Sequence, residues 1–582
     1  LLISITPPLK INWSWSEKKA EIFISTLEQS SVPRAVASGF RHQIKPACYR
    51  SRYRYVPDTL NEGSRRHIIA SIMTLNPSRF NLCDYFLGSE RLSRIGDNIA
   101  IEYCSERISY YALGNLVLYY IDQLREQGIV EGDRVALLLY DSPLFILYFL
   151  ATASIGAISV PVNTALSPDD VKFIIKDSGA RLIIYEAELK EKLYSSDAAL
   201  VGVNAKDRSC LNADIERAAN QESRTVTTQA SPAFMLYTSG STGTPKGALH
   251  DHGAIPFTVQ SYAENVLRFT EQDRIYSSSR LFFAYGLGNS LSFPLAAGAC
   301  VLLDSERPNA ERIAKIFKEQ KPTVFFGVPA VYRALMDFHA NNSIDVSSLR
   351  LCVSAGEALP ARIFEDWQRE FGLTILDGIG STEMLHIFIS NKAGETRAGS
   401  SGKIVTGYAA RLVDDGGNEV SAGELGNLWV KGGSATVGYW NRPDLTETTI
   451  QEGWVKTGDI YRRDEDGFFY HVGRSDDCFK VRGLWVSPIE VESVLLAHEA
   501  VQEAAVVSAV DRDGLATVRA FVVIRQEGDG EKIKEELRNF AGSRLAKFKV
   551  PSVIELIDEM PRTSTGKIQR FKLRAEPERR NE

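Results

Sequence analysis

Several functional classes are excluded by what the chain lacks. Seven cysteines in 582 residues, Cys48, Cys83, Cys104, Cys210, Cys300, Cys352 and Cys478, stand far apart. There is no C-x-x-C pair and no metal-ligand cluster, and an odd, scattered set reads as reduced thiols of a cytoplasmic protein. An excess of charge is missing too, because 67 basic residues against 73 acidic ones leave a net charge of -6. Such a balance offers no overall attraction for nucleic acid or an anionic membrane. One uncharged run, "PLFILYFLATASIGAISVPV" from Pro143 to Val162, has about the length of a bilayer span. Its second half holds Ser154, Gly156, Ser159 and Pro161 and no basic cluster flanks it, so it reads as a buried helix followed by a strand. No signal peptide is recognisable, since a basic start followed by an apolar core is absent. The first methionine is Met73, and the residues before it show no sustained periodicity. Residues 1–72 are therefore expected to be translated upstream sequence or a dispensable extension, outside any domain.

What is present is globular: 44% hydrophobic and 24% charged residues, with no internal repeat or low-complexity linker. From Asn81 onward, helical patterns such as "SYYALGNLVLYYIDQLREQG" alternate with short apolar runs, "RVALLLY", "ARLIIYE", "PTVFFGVP" and "LRLCVSAG". That alternation predicts α/β layers with mostly parallel sheets. After Gly407 the texture becomes strands and turns, "YAARLVDDGGNEV", "GNLWVKGG" and "GFFYHVG", a small β-rich subdomain. Past Gly473 it changes again to helix "SPIEVESVLLAH", strands "VQEAAVVSAV" and "VRAFVVIR", helix "EKIKEELRNFAGSRL" and strand "SVIELIDE". The expected organisation is a large N-terminal domain over residues 79–475 and a small α+β C-terminal domain over 476–582.

"LYTSGSTGTPKG", residues 236–247, gathers three glycines, hydroxyl side chains and Lys246. Free backbone N–H groups, hydroxyls and an ammonium converge well on phosphate oxygens. The Walker spacing is absent, because Pro245 precedes Lys246 and Gly247 follows it. With "DGIGSTE" (Asp377 to Glu383), "KTGD" (Lys456 to Asp459), "GRSDDCFKVRG" (Gly473 to Gly483) and "PRTSTGKIQR" (Pro561 to Arg570) following in order, the chain resembles the adenylate-forming superfamily over roughly residues 79–575. That superfamily comprises acyl-CoA synthetases, adenylation domains and luciferases.

The resemblance implies ATP-dependent activation of a carboxylic acid to an acyl adenylate, with Mg²⁺ and then a thiol acceptor, coenzyme A. It assigns Thr238, Ser239, Gly240, Ser241, Thr242, Gly243 and Lys246 to the β- and γ-phosphates, Thr382 to the α-phosphate and Glu383 to the metal. Asp459 and Arg474 are implied for the ribose and phosphate. Gly356 and Glu357 of "SAGEALP", with Asp377, Gly378 and Ile379, are implied for adenine. Lys567 would bridge the acyl carboxylate and the α-phosphate. The C-terminal domain would be a mobile lid that rotates at a hinge, Asp476, and brings Lys480, Gly483 and Trp485 to a pantetheine tunnel.

"FFAYGLGNSLSFPL" and "DGIGSTEMLHIFISN" resemble the benzoate-CoA ligase branch, which implies a flat aromatic acid. Phe283, Ala284, Tyr285, Leu287, Val328, Gly356, Ile379, Gly380 and His386 are the expected pocket. Within it, Gly356 and Gly380 would leave room for a ring, Phe283 would act as a gate, and His386 would either bond a ring substituent or simply pack. Three alternatives stay open from the residues alone: loading of a carrier-protein thiol, a phosphotransferase releasing ADP, and a silent nucleotide-binding protein. The expected partners are small molecules, and the chain is read as a monomer or homodimer.

Overall fold

The computed structural model describes residues 79–575, apart from 194–197, 205–223, 240–243, 476, 482–483, 511–514, 526–528 and 563–567. The expectation for residues 1–72 lies outside them. Two large sheets form the body. The first has seven strands in the order Gly438–Tyr439, Pro245–Asp251, Pro232–Ser239, Ile158–Pro161, Arg134–Leu138, Leu182–Glu186, Ala199–Val203. The second has nine, in the order Lys403–Ile404, Ile387–Ser390, Ile375–Gly380, Leu351–Ser354, Val324–Gly327, Arg274–Ser277, Cys300–Leu303, Ile99–Tyr103, Glu106–Ser109. Both are parallel through their centres, which agrees with the apolar runs read from the sequence, since central parallel strands are covered on both faces. Both edges of the second sheet and the Gly438–Tyr439 edge of the first are antiparallel, a feature the runs did not disclose, whereas edge strand Ala199–Val203 is parallel to Leu182–Glu186.

Helix Pro143–Ser154 begins with proline at its first turn, and all twelve of its residues are buried. An all-round apolar helix of that length belongs inside a large core rather than on a surface. No helix among the described residues is long and apolar enough to cross a membrane. The second sheet is flanked by amphipathic helices Ala310–Gln320 and Ala361–Phe371, which insert Ile313, Phe317, Phe364 and Trp367 into one apolar cluster.

A third sheet is antiparallel and holds Ala409–Val413, Leu425–Lys431, Trp454–Arg463, Phe469–Arg474 and Ile450–Gln451. Along Leu425–Lys431 buried and half-buried residues alternate, the period-two signature of a strand with one face on the core. Strands Val501–Val510, Ala516–Ile524 and Val553–Leu556 form a further sheet. Helices Pro488–Leu496 and Gly530–Gly542 close it with Val491, Leu495 and Leu537, in a cluster whose buried members all follow residue 480.

Two segments, Val259–Leu267 and Gly288–Ser292, are wound as wide π-type helix. Such turns are rare and recur at functional sites. The second supplies Asn289 to the region described next. In open parallel sheets ligands gather at the carboxyl ends of the strands. Here the ends of Pro232–Ser239, Val324–Gly327, Leu351–Ser354 and Ile375–Gly380 carry the residues singled out from the sequence.

Candidate active site

The glycine-rich sequence is the connection of a β-hairpin. Pro232–Ser239 pairs antiparallel with Pro245–Asp251, and Thr238 stands opposite Lys246. Directly opposed residues share a face of the sheet. Gly240, Ser241, Thr242 and Gly243 at the tip lie outside the described residues, as does the Ser239 side chain. The Lys246 ammonium sits 4.8 Å from the ring centroid of Tyr439. That tyrosine lies on the edge strand paired to the same hairpin, opposite Ala248. Its hydroxyl donates to Glu383 Oε1 at 2.7 Å. Burial first, and then the Glu383 carboxylate, push its ionisation far above the ordinary tyrosine range, so the phenol remains a donor.

Glu383 projects from a tight turn after strand Ile375–Gly380. The Met384 amide donates to the Ser381 carbonyl and the Leu385 amide to the Thr382 carbonyl. Leu385 adopts φ 67°, a left-handed conformation uncommon for a branched apolar residue. The turn leaves Thr382 and Glu383 half-buried while Met384, Leu385 and His386 go into the core. His250 of the hairpin lies with Nε2 2.9 Å from the Thr382 carbonyl.

Asp459 and Arg474 face each other across paired strands of the third sheet. Arg474 Nη1 donates to the Thr457 carbonyl at 2.9 Å and to Asp459 Oδ1 at 3.3 Å. His471 Nε2 lies 3.6 Å from the same oxygen, too far for a good hydrogen bond but close enough to favour negative charge. Burial would raise the Asp459 pKa, yet His471, Arg474 and the Thr457 hydroxyl prevail and hold it below the usual carboxylate range. The Arg474 charge is also felt at Tyr439, which relates this cluster to the hairpin side.

The expected acid pocket divides by depth. Ala284, Leu287 and His386 are buried, Phe283, Tyr285, Val328, Ile379 and Gly380 are half-buried, and Gly356 with Glu357 is exposed. His386 is 3% exposed and enclosed by the rings of Phe293, Tyr262 and Tyr285 at 4.5, 5.4 and 5.5 Å. Its Nε2 meets Asn289 Oδ1 at 3.2 Å. Burial pushes its pKa down to about 3, so the ring is neutral at physiological pH. Asp377 and Gly378 are buried just before the half-buried strand end, and desolvation pushes the Asp377 carboxyl well up, towards the protonated form.

The two pocket glycines differ. Gly356 has φ 92°, which favours glycine, and a Cβ there would meet only Val328 Cγ1, at 3.7 Å. At Gly380 a Cβ would fall 2.6 Å from the His386 carbonyl oxygen and 2.8 Å from the Ile387 amide. The expectation that Gly380 leaves room for a ring is thus corrected, because the space belongs to the neighbouring strand, which could not otherwise approach. On the C-terminal side Lys480 is exposed and stands opposite Trp485 in a short hairpin. Asp476, Gly483, Lys567 and the Trp485 side chain lie outside the described residues.

A family model described as AMP-binding enzyme matches residues 89–440, and the AMP-binding enzyme C-terminal domain matches residues 490–567. The chain belongs to the AMP-binding enzymes. It is 40% identical to a benzoate–CoA ligase of Thauera aromatica, over 86% of this chain and 96% of that protein. The crystal structure of a benzoate CoA ligase from Burkholderia xenovorans LB400 superposes with a TM-score of 0.78 at 39% identity, covering 85% of this chain and all of that one. An anthranilate CoA ligase in complex with anthranoyl-AMP gives 0.80 at 36% identity, over 85% and 97%. Among AMP-binding enzymes the chain therefore falls in the benzoate-CoA ligase branch of the adenylate-forming superfamily, and it is an AMP-forming acid–thiol ligase.

Sequence reasoning missed two residues of this candidate site, Tyr439 and His471, while Asn289 closes the segment Phe282 to Asn289 that reads as pocket lining. The "GYW" of residues 438–440 follows a strand-turn texture and carries no chemical signature of its own. His471 lies three residues before Arg474, which period two alone would put on the opposite face; the register shift that leaves it paired with Tyr461 returns it to the Asp459 side and has no signal in the sequence.

Proposed function

We propose that the chain is an ATP-dependent aryl acid:CoA ligase acting on benzoate or a small substituted benzoate. The observation that carries the reading is the aromatic enclosure of Tyr262, Tyr285 and Phe293 around a neutral His386, directly behind the Thr382–Glu383 turn. Likeness to benzoate- and anthranilate-CoA ligases over nearly their full length supports it.

In the first half-reaction a carboxylate oxygen attacks the ATP α-phosphorus. The bond from that phosphorus to the bridging oxygen breaks, and pyrophosphate leaves. Two anions must meet, so catalysis depends on preset cations and donors. Thr238, Lys246 and the hairpin tip hold the β- and γ-phosphates, Thr382 meets the α-phosphate, and Lys567 bridges it to the acyl carboxylate. Asp459, kept ionised, accepts from the ribose hydroxyls, and Arg474 neutralises it from behind. Adenine lies along Gly356 to Glu357 and Asp377 to Ile379. Tyr439 engages one Glu383 oxygen, and the other suits Mg²⁺, which takes one or two carboxylates and otherwise substrate phosphates. When bound there, Mg²⁺ supplies positive charge to the triphosphate.

In the second half-reaction the CoA thiol attacks the acyl carbonyl, the anhydride C–O bond breaks and AMP leaves. The boundary lies at residues 475 and 476, with Asp476 as hinge and Lys480, Gly483 and Trp485 lining the thiol's approach past Phe283. The enzyme works in the cytoplasm as a monomer or homodimer. A pyrophosphate-release screen over benzoate and its hydroxy, amino and chloro derivatives, cinnamates and medium-chain fatty acids tests the substrate class. Benzoates should lead, and a fatty acid preferred to all of them would overturn the reading.

A further inference from the structure

Lys246, on the hairpin of the first sheet, and Glu383, on the turn after strand Ile375–Gly380 of the second, carry opposite charges and meet the same tyrosine. A direct ion pair between them would mask both from a ligand. Among the described residues no such pair forms, because Tyr439 stands between them, its ring against the ammonium at 4.8 Å and its hydroxyl on the carboxylate at 2.7 Å. The tyrosine is 6% exposed and its segment is laced to both neighbours. Gly438 and Tyr439 pair with Leu249 and Ala248 of the hairpin strand. The Thr436 hydroxyl donates to the Leu249 carbonyl at 2.7 Å, while the Thr436 amide donates to the Glu383 carbonyl at 2.6 Å. The Ser434 hydroxyl donates to the Met384 carbonyl at 2.7 Å, and the Tyr439 amide to Thr446 Oγ1 at 2.9 Å.

We propose that Tyr439 is a positioning residue that keeps Lys246 and Glu383 apart, leaving the ammonium for the phosphate oxygens of ATP and the second Glu383 oxygen for a divalent cation. The ring has two tasks. As a spacer it blocks collapse into an ion pair while its π-face holds the ammonium nearby. As a donor it fixes one carboxylate oxygen, so the other points in a constant direction. The proposal rests on the roles given above to Lys246 and Glu383.

Binding measurements on the full chain separate the two tasks. The probes are Mn²⁺, followed by electron paramagnetic resonance in the presence of α,β-methylene-ATP, that analogue alone without metal, and AMP, which lacks the β- and γ-phosphates. Tyr439→Phe keeps the spacer and loses the donor. It should weaken Mn²⁺ by about tenfold, as expected for a hydrogen bond to a charged group, and leave AMP affinity within about twofold. Tyr439→Leu loses both, so metal-free analogue binding should also fall, and adding Glu383→Gln to that variant should restore it by removing Lys246's new partner. Unchanged Mn²⁺ affinity in Tyr439→Phe, alongside a loss in Glu383→Gln, overturns the donor role. Failure of Glu383→Gln to rescue the leucine variant overturns the spacer role. Should Glu383→Gln itself leave Mn²⁺ affinity unchanged, the underlying assignment of Glu383 fails and the proposal with it. Loss of AMP binding confined to the leucine variant marks a packing defect there, and the phenylalanine variant then decides.

Discussion

His386→Ala removes an imidazole that is 3% exposed and enclosed by three aromatic rings. Large-to-small truncations at such sites cost roughly 2–5 kcal/mol of stability. In the tautomer that fits, Asn289 Oδ1 loses the Nε2–H it accepts, which adds about 1–3 kcal/mol if the oxygen stays buried and unpaired. The vacated volume adjoins Tyr285, so on the proposed reading the acid pocket should deepen there. A group of methylene size is worth about 1–3 kcal/mol in such a pocket, so the ratio of kcat/KM for 4-chlorobenzoate over benzoate should rise about tenfold or more. Because burial holds His386 neutral, with a pKa of about 3, the ratio should not vary across the neutral pH range. Steady-state pyrophosphate release with both acids measures it, beside thermal melting. A lower melting temperature with an unchanged ratio would refute the pocket role and make His386 a core residue only.

Two buried histidines set an acid limit. His252 and His386 are pushed by burial from 6.5 down to about 4 and about 3. The unfolded chain therefore binds protons that the folded one refuses; the stability they contribute is complete above pH 6.5 and is lost as pH falls towards those values. At pH 4 the loss is about 3 kcal/mol for each, and His252→Gln should remove one proton's share of the slope of stability against pH, a slope left unchanged contradicting the assignment. Lys567→Ala should abolish benzoate-dependent pyrophosphate release yet still convert supplied benzoyl adenylate to thioester; equal loss of both steps would contradict the division of labour. A chain beginning at residue 73 should keep the kcat and KM of the full one, and a folded but inactive product would show that residues 1–72 take part.

Much of the body was legible because central parallel strands need uninterrupted apolar residues. "RVALLLY" and "ARLIIYE" became Arg134–Leu138 and Leu182–Glu186, and the uncharged run from Pro143 became helix Pro143–Ser154 followed by strand Ile158–Pro161. Antiparallel edges escaped notice because pairing direction leaves little mark on short strands such as Gly438–Tyr439. The π-type winding of Gly288–Ser292 has no periodic signature, so the meeting of Asn289 with His386 was invisible. Local motifs exposed Lys246, Glu383 and Asp459, whose chemistry is written in neighbouring residues. Tyr439 reaches Glu383 across 56 residues of sequence, and only the pairing of its edge strand with the hairpin brings them together. Gly380 was visible as a glycine, but its cause, the closeness of His386 and Ile387, is tertiary.

The central claim is that ATP is cleaved between the α- and β-phosphates to place a benzoate-type acid on CoA. The most direct test is analysis of products from ATP, benzoate and CoA with the full chain, repeated without CoA. The account predicts AMP, pyrophosphate and benzoyl-CoA in equal amounts, and without CoA a single stoichiometric burst of pyrophosphate with benzoyl adenylate retained on the enzyme. Formation of ADP, or benzoate-independent nucleotide cleavage indifferent to CoA, would contradict it.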